Sequence, residues 1–564
     1  MTAAVKNSAR PTPPASPPSP VDDLDVPTGL FRHSLLNHAM GTYLPATVAA
    51  RLINFARILL LTWWMTTQQF GLLAMILLSM NVMTPLCSLG LSEAVARYVP
   101  QHETRGSLWL FMLRSARVLL VITLVSVAMM IAFSSFLGVF LYAQVFTDPK
   151  VFAEFCAEAP QLARLSAIVI GLMIAYFFLL AFLKGLRMFT ALAVMEISHS
   201  MLFLAGAAVA WWMHHLSALT LTGIYGISMA IPVVLFGGGL VRAVSRWRFQ
   251  HEPLSDKRVA RTLLKFSIWA TLAGVTWQIL VAYPAWFLNK VHGNEAVGVF
   301  HALRQVGQFI LIGAVAVTTV IMTTVTKTWE TRGREAALRQ LSLAFRGTGL
   351  GLLVLCAIIA LSKDIISQAF RPDFAPGAAI LPLHVLFFLM AAFLAFLSIH
   401  FHLVERTRHM FWPWAIGVAA NVLFAIWLAT PKLATVQGFA VWKAASHVTL
   451  AIFTTGFSDP QGLDSAAWCG VFAIATALTL CIILIRTECT ELDRGVYIVI
   501  VSAFLLATKP VILSTGVVAL LALAFGTELI FNRDERRRIT GYVLGALSHV
   551  PPFRLLWGRK GGDT

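Results

Sequence analysis

Charge is what this sequence has least of. Of 564 residues only 12% are Asp, Glu, Lys or Arg, while 58% are hydrophobic; a soluble domain carries about 25% charged and about 45–50% apolar residues. An ordinary soluble globular protein is therefore excluded. A GxxxxGK[ST] phosphate loop is missing, which excludes ATP hydrolysis by that device. There is no HExxH, no CxxC pair and no Cys/His ligand cluster. The six cysteines (Cys87, Cys156, Cys356, Cys469, Cys481, Cys489) are scattered, so neither a zinc site nor a disulfide framework follows. No cofactor or metal is implied. Between the apolar runs no connection is long and hydrophilic enough for a catalytic domain, and the sequence carries no sign of an enzyme.

What is present is a repeated apolar run of about 20 residues, the length that crosses a hydrocarbon core of about 30 Å. About fourteen such spans can be drawn, near 43–66, 70–96, 109–137, 161–183, 190–212 and 218–240, then 263–288, 297–325, 342–362, 378–402, 410–429, 464–485, 495–509 and 511–531. The last two are divided only by Thr508-Lys509-Pro510. The stretch 436–455 is apolar but holds Trp442, Lys443 and His447, and reads as either interfacial or spanning. The expectation is an all-α polytopic membrane protein. A disordered Pro-rich cytoplasmic arm (1–34) precedes an N-terminal six-helix bundle (35–250) and a C-terminal six-helix bundle (251–486). Two further helices (487–532) and a basic tail (533–564) follow.

The net charge of +17 raises the question of a nucleic-acid partner. The basic residues form no single domain; they punctuate the gaps between spans, which argues against nucleic acid and for topology. With the N-terminus inside, about 32 of the 43 Lys and Arg fall in inward loops and tails, about eight in outward loops and three within spans. That bias of roughly four to one predicts that both termini face the cytoplasm. A multi-pass inner-membrane protein is the corresponding location.

Two halves also show through. The string from Leu35 to Gly71 and that from Leu263 to Gly298 each begin with Leu-Leu, cross, turn at a short polar segment and re-enter at a glycine. Six spans precede the second copy, so the two share one orientation. Parallel repeats of this kind mark transporters built of two bundles around a central site.

Ionisable residues inside spans cost about 2.5–3.5 kcal/mol or more each unless they face water or a partner. Span one carries Arg51, Asn54 and Arg57 within an arc of roughly 120°. Span seven offers Gln278 and Tyr283, and span eight carries His301, Arg304, Gln305 and Gln308 at helical spacing. Span five carries Glu196 and His199 at i, i+3. Guanidinium groups hold phosphate oxygens in bidentate fashion. Arg51, Asn54, Arg57, Gln278, Arg304 and Gln308 are thus candidates for a cavity that binds a phosphorylated headgroup; the alternative is internal pairing, for instance with Glu196. Glu196 and His199 read as either a coupling site or a structural pair. Arg114 and Arg117, near an inward end, read as anchors to lipid phosphates. Pro45, Pro85, Pro232 and Pro284 favour kinks, mobile or static. After span two, Gly90, Glu93 and Arg97 form a candidate gate region, with Glu93 and Arg97 spaced to pair at i, i+4.

Four strings then resemble one family. "FGLLAMILLSMNVMTPLCSLGLSEAVARYVPQH" (70–102) resembles the second span of Wzx-type polysaccharide flippases, whose G-L-x-x-A-x-x-R-[FY]-x-P ending is matched by Gly90, Leu91, Ala94, Arg97, Tyr98 and Pro100. "EAVGVFHALRQVGQFI" (295–310), "FRPDFAPGAAILPLHVL" (370–386) and "LVERTRHMFW" (403–412) are similar to that family's span eight, its outward entry to span ten and the turn after span ten. The resemblance covers roughly 35–530 and places the chain in the multidrug/oligosaccharidyl-lipid/polysaccharide exporter superfamily. It implies two six-helix bundles with two added C-terminal spans. It also implies movement of an undecaprenyl-pyrophosphate-linked oligosaccharide between leaflets, with cationic cavity residues meeting acidic sugar or pyrophosphate. Membrane lipids and the polysaccharide polymerase and export machinery are the implied partners. Many relatives carry an acid in span seven near "VAYPAWF" (281–287), where this chain has Pro284. The alternatives are an ion-coupled multidrug antiporter, which prefers intramembrane acids, and a membrane glycosyltransferase or polymerase, which wants an outward acidic loop.

Overall fold

The computed structural model describes residues 36–104, 107–142, 149–245, 256–404, 406, 408–429, 462–488 and 492–537. The arm 1–34 and the stretch 436–455 lie outside them. Every regular element among the described residues is helical, as the bilayer requires of a chain that must satisfy its backbone groups within each crossing segment.

The first group comprises α1 (Leu36–Trp64), α2 (Thr67–Ser88), α3 (Leu91–Thr104), α4 (Leu108–Ala132), α5 (Ser134–Tyr142), α6 (Pro149–Gly185), α7 (Phe189–Trp212) and α8 (Ala218–Val244). The second comprises α9 (Asp256–Arg332), α10 (Arg334–Leu361), α11 (Lys363–Gln368), a 3₁₀ turn (Pro372–Ile380), α12 (Leu381–Leu403), α13 (Arg408–Ala429) and α14 (Leu463–Thr487). Then come α15 (Arg494–Ser502), prolonged by a 3₁₀ turn (Ala503–Ala507), and α16 (Pro510–Gly526). Nine of the described helical segments are long and apolar enough to cross a membrane, and α15 with its extension and α16 are shorter apolar helices. Spans seven and eight are the two halves of α9, broken at Gly293, whose φ of 81° is left-handed.

The expected spans recur, with three corrections. Span two does not run unbroken from 70 to 96. Leu89 (φ 49°) and Gly90 (φ 61°) stand consecutively in the left-handed region, ending α2 and restarting the chain as α3. Span three breaks at Phe133, so its tail is the separate α5. Helix α6 begins at Pro149, well before the apolar run at 161. The division at Thr508-Lys509 stands: both are extended, and Pro510, which lacks an amide proton, opens α16. The helices α2, α8 and α9 continue through Pro85, Pro232 and Pro284.

Helices pack mainly within their own group, α1 on α7 and α6 on α8 in the first, α12 on α9 and α13 on α14 in the second. Helix α12 is apolar on nearly every face and buried from Leu381 to Phe401, as expected of the centre of a bundle. The groups meet where α2 runs antiparallel to the first half of α9. At one end a Cβ on Gly71 would collide with the Asn294 carbonyl and lie 2.9 Å from Gly298 N. Reciprocally, a Cβ on Gly298 would collide with the Thr67 carbonyl and lie 3.2 Å from Gly71 N. Thr67 and Asn294 each precede their glycine by one helical turn, so the two copies of the repeat touch with residue i meeting j and j meeting i, as at a two-fold axis. Midway, Trp286 Nε1 donates to Ser79 Oγ at 3.3 Å. At the far end a Cβ on Gly90 would strike Thr271 Oγ1 and lie 3.3 Å from Ser267 O.

The last helices are pinned to the second group through Arg346 of α10, which is 3% exposed. Its Nη2 lies 2.8 Å from Glu535 and 3.2 Å from Asp493, its Nη1 donates to Ile530 O, and its guanidinium lies over the Phe531 ring. Glu535, at the start of the basic tail (533–564), therefore docks on a buried arginine.

Because a side chain at Gly298 has nowhere to go, Gly298→Val is expected to force α2 and α9 apart. Overpacking costs about 1–3 kcal/mol, so the closed-to-open ratio at this end should fall about 5- to 150-fold. A Thr67→Cys/Asn294→Cys pair bridged by a short bis-thiol reagent reads the change. Undiminished cross-linking in Gly298→Val would contradict the close contact.

Candidate functional site

The polar face expected on α1 packs against α7, where Trp64 stacks on Trp211 with centroids 5.1 Å apart. Arg57 points into the first group: its guanidinium carbon sits 4.6 Å above the Phe203 ring, and its charged or titratable neighbours include Tyr225 and Arg51. Phe203 meets Tyr225 edge-on at 5.4 Å. His199 lies 5.3 Å from both Tyr176 and Tyr225, with its Nδ1 3.0 Å from Ser228 Oγ. Ser228 spends its one hydroxyl proton on Tyr225 O, 2.7 Å away, so His199 Nδ1–H is the donor in that pair and Nε2 is left as an acceptor.

The charge balance is the notable feature. Among the described residues neither Arg51 nor Arg57 has a carboxylate oxygen within the 4.0 Å of an ion pair. Glu196 has Lys184 and Arg51 as its nearest charges, but the pairing weighed in the sequence is not made. Arg57 Nε and Asn54 Oδ1 are buried without a hydrogen-bond partner. A buried cation of this kind normally finds a counter-charge. Arg51 is exposed and Arg57 half-buried over Phe203, so the site offers two guanidinium groups that no carboxylate neutralises, which suits a phosphate or other oxyanion.

The second group arranges its polar residues differently. Phe309, next to Gln308, meets Phe55 of α1 edge-on at 5.2 Å, so span eight approaches α1 there. Arg304 does not share the Arg57 site. It is 2% exposed and sits 5.6–5.9 Å from the rings of Phe300, Phe387 and Phe388, on the side of span eight that faces α12. A polar residue in an apolar helix signals a protein-facing side, and span eight has two such sides. Gln278 is half-buried beside Trp277, whose ring meets Trp414 at 5.0 Å. At the other end Gly90 touches span seven, Glu93 and Arg97 are exposed, and Arg97 is the charge nearest His402 of α12. Glu488 gathers His400, Arg406 and His409, each at 3.2 Å, around the ends of α12, α13 and α14.

Sequence reasoning missed Tyr176, Phe203, Tyr225 and Ser228. Tyr225 and Ser228 carry a signal, being polar at i, i+3 in an apolar helix just as Glu196 and His199 are; Phe203 carries none. No group of three His, Cys, Asp or Glu converges among the described residues.

Two helix groups related by a pseudo-two-fold, with arginines set inside the helices, define an all-helical polytopic membrane protein. The chain is similar to the lipid II flippase MurJ in an inward closed conformation, at 12% identity and a TM-score of 0.59 over 86% of this chain and 98% of that one. It is also similar to an inward-facing multidrug resistance MATE transporter of the MOP superfamily (12% identity, TM-score 0.55, 78% and 94% covered). A MOP superfamily transporter from Pyrococcus furiosus, described as having a binding pocket of reverse polarity, matches at 12% identity and a TM-score of 0.55, with 80% and 95% covered. No curated protein matches the chain by sequence. The polysaccharide biosynthesis protein family matches residues 40–329, more than half of the chain, and the chain belongs to that family.

Arg57→Ala is expected to weaken binding of inorganic pyrophosphate to the purified protein about 10- to 150-fold, the worth of hydrogen bonds to a charged group at about 1.5–3 kcal/mol. Arg57→Lys should retain part of the affinity. Titration calorimetry measures both, and an unchanged Kd in Arg57→Ala would remove Arg57 from the site.

Proposed function

We propose that this protein is a flippase. It carries an undecaprenyl-pyrophosphate-linked oligosaccharide from the cytoplasmic to the outer leaflet of the inner membrane, for cell-surface polysaccharide biosynthesis. The observation that carries this reading is the unpaired Arg51/Arg57 face within the helical fold of a chain belonging to the polysaccharide biosynthesis family. Arg51, Asn54 and Arg57 hold the pyrophosphate or an acidic sugar, and Gln278 and Gln308 complete the cavity from the second bundle. The bundles (35–250 and 251–486) rock about the contact between α2 and α9, with 487–532 riding on the second. Gly90, Glu93 and Arg97 form the inner gate, and both termini are cytoplasmic. Glu196 and His199 are the coupling pair, taking the part that an acid near Pro284 plays in many relatives. The partners are the lipid-linked oligosaccharide, surrounding lipids, and the polymerase and export machinery.

The multidrug-antiporter reading is weaker, since a cationic drug calls for intramembrane acids and the deepest charge on α1 is an arginine. Deleting the protein and assigning lipid-linked glycans to leaflets tests the proposal. A complete saccharide-lipid accumulating on the cytoplasmic side is the expected result, reversed by the wild-type chain but not by Arg57→Ala present at equal membrane level. Truncated sugar chains would point to a transferase instead, and an unchanged leaflet distribution would exclude the flippase.

A further inference from the structure

Arg304 presents a problem that the flippase reading does not solve. Its guanidinium makes no hydrogen bond and no ion pair among the described residues, and its Nη1 is fully buried. Around it lie two more buried polar side chains with an unpartnered ring nitrogen. His301, 7% exposed, has Nδ1 without a partner, and His384 of α12, 3% exposed, has Nε2 without one. Both histidines and Arg304 are mutual electrostatic neighbours, and the His384 ring meets Phe300 at 4.6 Å. The helices are pressed close here, since a Cβ at Gly307 would lie 2.7 Å from the Phe388 ring and 3.1 Å from His384 O.

The proton positions sharpen the point. Gln305 Nε2 stands 2.7 Å from His301 Nε2, so with the amide donating, the imidazole proton of His301 lies on Nδ1, the unpartnered atom. His384 is hydrogen-bonded to the Phe300 backbone through Nδ1, leaving Nε2 as the free nitrogen. Arg304 Nη1–H and His301 Nδ1–H are thus two buried donors beside an uncompensated positive charge. Leaving a buried donor unmade costs about 1–3 kcal/mol, and more for a charged group, and a buried charge is ordinarily paired.

We propose that the second bundle binds a small monovalent inorganic anion of halide size between span eight and α12, held by Arg304 Nη1–H and His301 Nδ1–H. The phenylalanine cage and the 2% exposure of Arg304 leave no room for a saccharide or lipid headgroup, so the site is separate from the Arg51/Arg57 face. The proposal does not rest on the flippase reading. It makes the anion a resident counter-ion of the second bundle, and its loss a destabilisation of the contact between span eight and α12.

The test uses the purified full-length protein in nanodiscs. Replacing sodium gluconate by sodium bromide at constant ionic strength should raise Tm by roughly 2 °C or more, and Arg304→Gln should abolish the increment. Crystals grown in bromide should give an anomalous peak within hydrogen-bonding distance of Arg304 Nη1; this measurement on the wild-type protein decides the matter if the variant fails to fold. A wild-type Tm indifferent to bromide with no anomalous peak, or water alone at the position, would overturn the proposal. So would an Arg304→Gln protein that keeps the bromide increment. Stabilisation by pyrophosphate but not by bromide would assign Arg304 to the substrate's own acidic group and likewise overturn it.

Discussion

Two glycines, Gly71 and Gly298, let the backbones of α2 and α9 touch, and much of the arrangement follows from that approach. Each occupies the same place in its copy of the repeat, and each meets the residue one turn before the other. Any side chain at either would separate the helices by more than the packed core tolerates. The contact draws the two bundles together at the end where Thr67 and Asn294 sit. With Trp286 on Ser79 and Gly90 on Thr271, it lays α2 along the full length of span seven. Helices that share such a seam can roll or slide about it, whereas helices with bulky interdigitated side chains would be locked.

Against this close-packed seam the two bundles hold their cations differently. In the first, Arg57 rests on Phe203 near Tyr225, with Arg51 toward the exposed face. A guanidinium remains charged there by its own basicity, and the ring orients it toward an oxyanion. In the second, Arg304 is enclosed by three phenylalanines and two histidines, a place for a resident ion rather than a large cargo. Arg346 shows the third solution, full neutralisation by Glu535 and Asp493, and it fastens the last two helices to the second bundle.

Much of the fold was legible because the bilayer leaves few options: each crossing must be helical, apolar and about 20 residues long. The Leu35/Leu263 repeat added symmetry, and its terminal glycines proved to be the residues that touch; the charge distribution adds an expected orientation. What escaped the sequence was local or distant. The break at Leu89-Gly90 depends on a leucine in the left-handed region, which no propensity foretells. The cluster around Arg57 draws Phe203 and Tyr225 from helices far along the chain. The polar periodicity of span eight was read as one face lining the same cavity as Arg51 and Arg57, but periodicity does not say which neighbour a face meets. Arg304 turned toward α12, not toward α1.

Translocation by the isolated protein bears most directly on the flippase reading. Purified protein is reconstituted into vesicles holding a fluorescent undecaprenyl-pyrophosphate-linked oligosaccharide in both leaflets, and the fraction bleached by a membrane-impermeant reductant is followed. Bleaching beyond the starting leaflet fraction, present with the wild-type chain and absent with Arg57→Ala, is the predicted result. Bleaching that stops at the starting fraction with the wild-type chain, under every imposed ion gradient, would contradict it.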